Sequence, residues 1–157
     1  MIEPEKKLLL SKEEYKRLVA CFGEGKPVTK QVNYYYDTED LRMDQKNITC
    51  RLRLKNGSWQ GTRKKHNLDS DISEETTVEV YNGVCDNTFT REGLILQGEM
   101  VTYRMILFKN DICEVVLDRN TYLGHTDYEV ELEYAQGYEK NAWKILGRIT
   151  EVLLPVC

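Results

Sequence analysis

The sequence is short of several things on which common enzymes depend. It has only two histidines, His66 and His125. Serine, histidine and aspartate fall into no evident triad pattern, and no glycine-rich phosphate loop is present. Its five cysteines, Cys21, Cys50, Cys85, Cys113 and Cys157, are odd in number and widely spaced, with no CxxC. That pattern excludes a thiolate zinc site and a disulfide framework, and fits reduced thiols in a cytosol. No apolar run approaches membrane-spanning length. The start, Met1 to Lys7, is rich in charge and lacks the apolar core of a signal peptide. A cytoplasmic chain is expected, with no membrane partner. The net charge of −4 gives no reason to expect a nucleic-acid polymer as ligand. There are no repeats, low-complexity tracts or linkers.

What remains is a chain of 157 residues, about two-fifths hydrophobic and a third charged, which suggests one domain over 1–157 with a core of its own. Ten tyrosines lean it towards β-structure. Residues 2–10 read as a strand. Ser11 then opens a helix, with Glu14 completing a capping box. Tyr15, Leu18, Val19 and Phe22 follow at helical spacing, and Gly23 stops it. Residues 25–27 form a turn and 31–37 a tyrosine-dense strand. Segments 48–55 and 58–65 flank Asn56-Gly57, a strong hairpin signal because both turn residues need positive φ. Residues 73–81 are another strand, and 82–98 read as loop with a short irregular element. Segments 100–109 and 111–120 form a hairpin turning at Asn110, and 127–134 is the last strand. Ala142, Ile145, Leu146, Ile149, Val152 and Leu153 return to helical spacing, with Pro155 ending the helix.

Charges fall on shared strand faces, because residues two apart point the same way. Glu3, Glu5 and Lys7 share one, Glu129, Glu131 and Glu133 another. Arg51 with Arg53, Thr62 with Lys64, and Thr102 with Arg104 repeat the arrangement. The plainest reading is a set of amphipathic strands with solvated faces, a structural β-barrel. Three glutamates on one face repel one another, however, unless something positive lies among them. A divalent cation would serve, since carboxylates suit hard ions such as Mg2+ and Mn2+. Paired arginines match phosphate oxygens with planar, bidentate donors. If the sheet closes, these faces could all point inward, with the apolar faces packed outward against the helices at Ser11 and Ala142.

These residues resemble the signatures of the CYTH, or triphosphate tunnel metalloenzyme, superfamily. Glu3-Pro4-Glu5-Lys6-Lys7 resembles its ExExK, and Tyr35-Tyr36-Asp37-Thr38 its YxDT. The strand with Arg51 and Arg53 is similar to its RxR, Thr62-Arg63-Lys64 to its TxK, and Thr102 to Arg104 to its later basic strand. Leu117-Asp118, Tyr122-Leu123-Gly124 and the stretch 127–133 resemble its LD…YLG…DYExExE ending. The resemblance implies an α+β, mainly β fold: a closed eight-stranded antiparallel β-tunnel with a few flanking helices. It implies metal-dependent hydrolysis of a triphosphate, inorganic tripolyphosphate or an organic one, with Mg2+ or Mn2+. A class IV-type adenylate cyclase and a non-catalytic polyphosphate- or nucleotide-binding module are the alternatives.

Carried over by position, the resemblance makes Glu3, Glu5, Glu129, Glu131 and Glu133 metal ligands. Lys7, Arg51, Arg53, Lys64 and Arg104 would grip phosphate oxygens, and Glu75 and Asp118 would line the bore. Lys7, Glu5 and Glu131 are the catalytic candidates, with Lys7 polarising the bridging oxygen. The partner implied is a triphosphate-containing small molecule, and a homodimer is compatible with the resemblance. Pro4 donates no backbone bond, so its strand should lie at an edge or a sheet end there. Both histidines, near turns, are expected at the surface, Arg63 and Lys65 in solvent, and Trp59 and Trp143 in packing.

Overall fold

A computed structural model describes residues 2–153, with side chains from position 4 onward. In chain order the elements are β1 (Ile2–Leu10), α1 (Lys12–Phe22), β2 (Val28–Asp37), α2 (Arg42–Gln45), β3 (Ile48–Lys55), β4 (Ser58–His66) and β5 (Ile72–Val78). A short 3-10 turn (Gly83–Cys85), α3 (Thr88–Arg91), β6 (Ile95–Lys109), β7 (Cys113–Tyr122), β8 (His125–Tyr134) and α4 (Glu139–Leu153) follow. The strands close into an antiparallel barrel in the order β1-β5-β4-β3-β2-β6-β7-β8. This is the mainly β architecture expected. Among the described residues no helix is long and apolar enough to cross a membrane.

Local chemistry explains the turns. Asn56 and Gly57 take φ of 51° and 75°, the left-handed pair that joins two strands tightly. At Asn110, the side-chain oxygen accepts from the backbone of Ile112 and Cys113, both at 2.8 Å. The β7–β8 turn is Leu123-Gly124, at φ of 47° and 76°. Leucine seldom adopts that conformation, so the sequence did not mark the two central residues of the turn, and β7 and β8 run two residues further towards each other than expected.

Other boundaries also move. β2 begins at Val28 rather than 31, and β6 at Ile95 rather than 100. β5 stops at Val78, and Val80 makes only an isolated bridge to Asn87. The stretch expected as loop holds the 3-10 turn and α3, whose cap is Asn87, with its oxygen accepting from Phe89 and Thr90. The helix α2 was not foreseen. Its cap position is Leu41, which has no oxygen to offer, and Asp37 substitutes by accepting from the amides of Met43 (2.9 Å) and Asp44 (3.0 Å). Asp37 of the YxDT-like stretch is thus a capping residue. Pro4 lies near the start of β1 and Pro155 falls outside the described residues.

The chain divides into two compact units, one built on Lys30–Thr102, the other on Glu3–Thr29 and the chain from Tyr103 onward. In the second, the capping box of Ser11 and Glu14 opens α1 as read from the sequence. Gly23 ends it in right-handed geometry; what requires glycine is space, since a Cβ would lie 2.8 Å from Met105 Sδ and 2.9 Å from the Val19 carbonyl. The apolar faces of β1, β6, β7 and β8 pack with α1 and α4 around Leu18, Leu117, Val130, Leu132 and Ala142. In the first unit, Phe89 and Leu94 cover Tyr36, Cys50 and Leu52. Helices cannot fit within an eight-stranded barrel, so the face they cover is the outer one. In the second unit the opposite, inward face carries Lys7, Arg104 and the carboxylates Asp118, Glu129, Glu131 and Glu133.

Candidate functional site

The second unit brings the acidic residues together. Register sets Glu5 opposite Glu133, Lys7 opposite Glu131 and Leu9 opposite Glu129 across β1 and β8. Across β7 and β8, Glu114 faces Glu133, Val116 faces Glu131 and Asp118 faces Glu129. The period of two that turns Val130, Leu132 and Tyr134 into the apolar core therefore turns Glu129, Glu131 and Glu133 inward.

Two cations lie among these carboxylates. Lys7 Nζ is 3.1 Å from Glu131 Oε1 and 3.6 Å from Glu129 Oε2. Burial alone would lower the Lys7 pKa, but Glu131, Glu129 and Glu5 outweigh it and raise it. Arg104 forms a fork on Asp118, Nε to Oδ1 at 2.9 Å and a terminal nitrogen to Oδ2 at 2.7 Å. The same nitrogen is 3.5 Å from Glu131 Oε2. Against the burial that would lower it, Asp118, Glu131 and Glu133 raise the Arg104 pKa, so both cations stay charged at any ordinary pH. Glu129 is buried, and burial pushes its carboxyl up, with Glu131 adding and Lys7 opposing. Asn120, also buried, donates to Glu129 Oε1 at 3.1 Å and to Asp127 Oδ1 at 3.0 Å.

The carboxylates form two trios, Glu5–Glu131–Glu133 and Asp118–Glu129–Glu131. Within each, one oxygen per residue lies within 4.8 Å of the others, and Glu131 belongs to both. Oxygens around a hard divalent cation lie about 3–5 Å apart, given metal–oxygen distances of about 2.1–2.5 Å. The donor set and spacing therefore fit Mg2+ or Mn2+. Charge favours it too, because in this unit five carboxylates face Lys7 and Arg104. The expected ligand Glu3 has its side chain outside the described residues.

The first unit carries the other basic residues on one face. Register sets Arg51 opposite Tyr35 and Thr62, Arg53 opposite Asn33 and Gln60, and Lys64 opposite Thr49 and Glu75. Arg51 Nε is buried with no hydrogen-bond partner. A buried unsatisfied donor is costly, and an anion's oxygen is the partner a guanidinium fits best. Arg53 Nε donates to Asn33 Oδ1 at 2.8 Å.

Two expectations for single residues change. His66 is half-buried on the Lys64 face, with Nδ1 3.1 Å from Ser73 Oγ and Nε2 3.3 Å from Thr49 Oγ1. Arg63 is not simply solvated: on the outer face its guanidinium pairs with Glu92 and lies 5.4 Å from the Phe89 ring, fastening α3 to β4. Lys65 and His125 are exposed as expected. Trp143 packs its ring beneath Lys6 Nζ at 3.9 Å, and Trp59 against Tyr34 at 5.7 Å, though both keep an exposed face. Asn33 and Asn120 were missed. Asparagine is depleted in strands, so its presence within two strand runs was the available signal.

A closed eight-stranded antiparallel barrel defines a tunnel-type fold, with the paired carboxylate trios in the second unit and the strand-borne arginines in the first. The CYTH domain profile matches residues 1–148, and the chain belongs to that family. It is 29% identical over 154 residues to YjbK of Bacillus subtilis, a protein assigned as a triphosphatase, covering 88% of this chain and 80% of YjbK. Among solved structures it resembles a Bacillus halodurans protein assigned as an adenylate cyclase, with a TM-score of 0.76 at 21% identity over 99% of this chain and 93% of that one. It also resembles the Hippeastrum protein HpAC1, assigned as an adenylyl cyclase and described as having a dominant triphosphatase activity. That match has a TM-score of 0.73 at 17% identity, over 98% of this chain and 88% of the other.

Proposed function

We propose that this chain is a metal-dependent triphosphatase that hydrolyses a phosphoric anhydride bond of tripolyphosphate or an organic triphosphate. The observation that carries this reading is the pair of carboxylate trios joined at Glu131, in a member of the CYTH family. Glu5, Glu129, Glu131 and Glu133, with Glu3 and the nearby Asp118, would hold Mg2+ or Mn2+. When bound, such an ion supplies Lewis-acid polarisation of phosphoryl oxygens and lowers the pKa of a coordinated water.

The chain's own groups do the rest. Triphosphate charge must be neutralised, the nucleophile aligned and the leaving oxygen stabilised. Arg51, Arg53 and Lys64 neutralise and orient phosphate oxygens, and Arg51 Nε gains the partner it lacks. Arg104, fixed by Asp118, presents its remaining donors to the substrate. Lys7, charged throughout and set between Glu129 and Glu131, stabilises the bridging oxygen as the anhydride breaks. Glu75, opposite Lys64, lines the bore and orients that lysine.

Phosphate release from tripolyphosphate, ATP and thiamine triphosphate, with Mg2+, with Mn2+ and with EDTA, tests the reading. Metal-dependent release from any of them supports it and ranks the substrates. Cyclic AMP from ATP would make the chain a cyclase, and tight triphosphate binding without turnover a binding module. Glu5→Gln should mainly abolish metal-dependent turnover; full activity at saturating metal would remove Glu5 from the ligand set.

A further inference from the structure

Asn33 sits within β2 directly opposite Arg53 of β3, and only 1% of it is exposed. Both ends of its amide are used. The oxygen accepts from Arg53 Nε at 2.8 Å, and the nitrogen donates to the buried Thr102 Oγ1 at 3.3 Å. A guanidinium nitrogen can only donate, so the amide orientation is fixed by chemistry. Asparagine is a poor strand former, and burying its amide is favourable only through these bonds.

The barrel holds another arginine differently. Arg104 is gripped through Nε and a terminal nitrogen by both oxygens of Asp118. A carboxylate fixes a guanidinium firmly, but its charge also competes with any incoming anion. The Asn33 amide instead fixes Nε of Arg53 through one bond to a neutral acceptor and brings no charge.

We propose that Asn33 is a positioning residue for Arg53, chosen as an amide so that the guanidinium is oriented without an added negative charge competing with a phosphate oxygen. The proposal rests on the reading of Arg53 as a phosphate-binding residue.

Asn33→Asp separates orientation from charge. It keeps the size and the acceptor and adds one negative charge, and the Thr102 hydroxyl can turn from acceptor to donor. Binding of tripolyphosphate alone is measured by calorimetry at neutral pH in EDTA, alongside thermal unfolding. Asn33→Asp should bind at least about tenfold more weakly while unfolding at the same temperature or higher. Equal affinity in the variant and the parent overturns the proposal, because a merely structural asparagine tolerates that change. If the variant does not fold, Asn33→Leu, of similar volume without the acceptor, decides it: binding weakened several-fold supports the assignment, and unchanged binding refutes it. Arg53→Ala is measured beside them. If Arg53→Ala binds as the parent does, the phosphate reading of Arg53 fails. If Arg53→Ala weakens binding and Asn33→Asp does not, only the Asn33 assignment fails.

Discussion

Lys7 lies across the β1–β8 ladder from Glu131, its Nζ 3.1 Å from Oε1, while Arg104 approaches the other oxygen of the same carboxylate at 3.5 Å. Glu131 is therefore both the common member of the two carboxylate trios and the point where the two cations meet. Glu131→Gln should lower Mn2+ affinity at least about tenfold and phosphate release about a hundredfold or more. Calorimetry with Mn2+ alone and a release assay would check this. Unchanged Mn2+ binding would remove Glu131 from the ligand set.

Glu129 responds to pH in a definite direction in the metal-free protein. Burial raises its folded-state pKa above the unfolded value, and Lys7 only partly offsets this. Its contribution thus favours the fold at acid pH and is lost as pH rises through the folded value. In EDTA at neutral pH, Glu129→Gln should raise the urea midpoint, and the gain should fade towards pH 4. A gain equal at both pH values would mean that ionisation is not the cause.

Arg51 should show function at the expense of stability. Its Nε is buried without a partner. Arg51→Met should leave the unfolding temperature unchanged or raise it, yet weaken tripolyphosphate binding about tenfold or more. A large loss of stability with intact binding would assign Arg51 to the framework.

Asp37 is the opposite case. Burial would raise its pKa, but the amides of Met43, Asp44 and Thr38 prevail and hold it below the usual carboxylate value. Its stabilisation is present above the unfolded-state pKa and is lost as pH falls through the folded value. Asp37→Ala should cost about 1–2 kcal/mol in urea unfolding at pH 7. The difference from the parent should shrink as pH falls below the ordinary carboxylate value of about 4.

Leu123 offers a gain. It is 92% exposed at φ 47°, so its side chain contributes little burial while its backbone is disfavoured. Leu123→Asn, giving Asn-Gly at this turn, should stabilise by about 0.5–1 kcal/mol without changing turnover. A loss of activity would show that the leucine serves the substrate.

Much of this is legible in the amino-acid sequence. Alternation along 127–134 told which side chains of the last strand share a face, because a strand's period is fixed by its pleat. Ser11 with Glu14, and Asn56-Gly57, announced their elements because caps and tight turns are local chemistry satisfied within a few residues. The turn at Leu123-Gly124 and the cap of α2 by Asp37 were hidden for the converse reason. In the first the ladder on either side overrides a local preference; in the second the capping oxygen comes from outside the helix's own cap position.

The sequence by itself determined the two-sided character of the strands and the stock of carboxylates, lysines and arginines on their charged faces. Only the tertiary structure decided which of them meet. Register across β1, β7 and β8 joined Lys7, Asp118, Glu129 and Glu131, and register across β2 and β3 set Asn33 against Arg53. Register is a relation between strands far apart in the chain, fixed by the closure of the whole ladder and the packing of its outer face. No single segment carries that information.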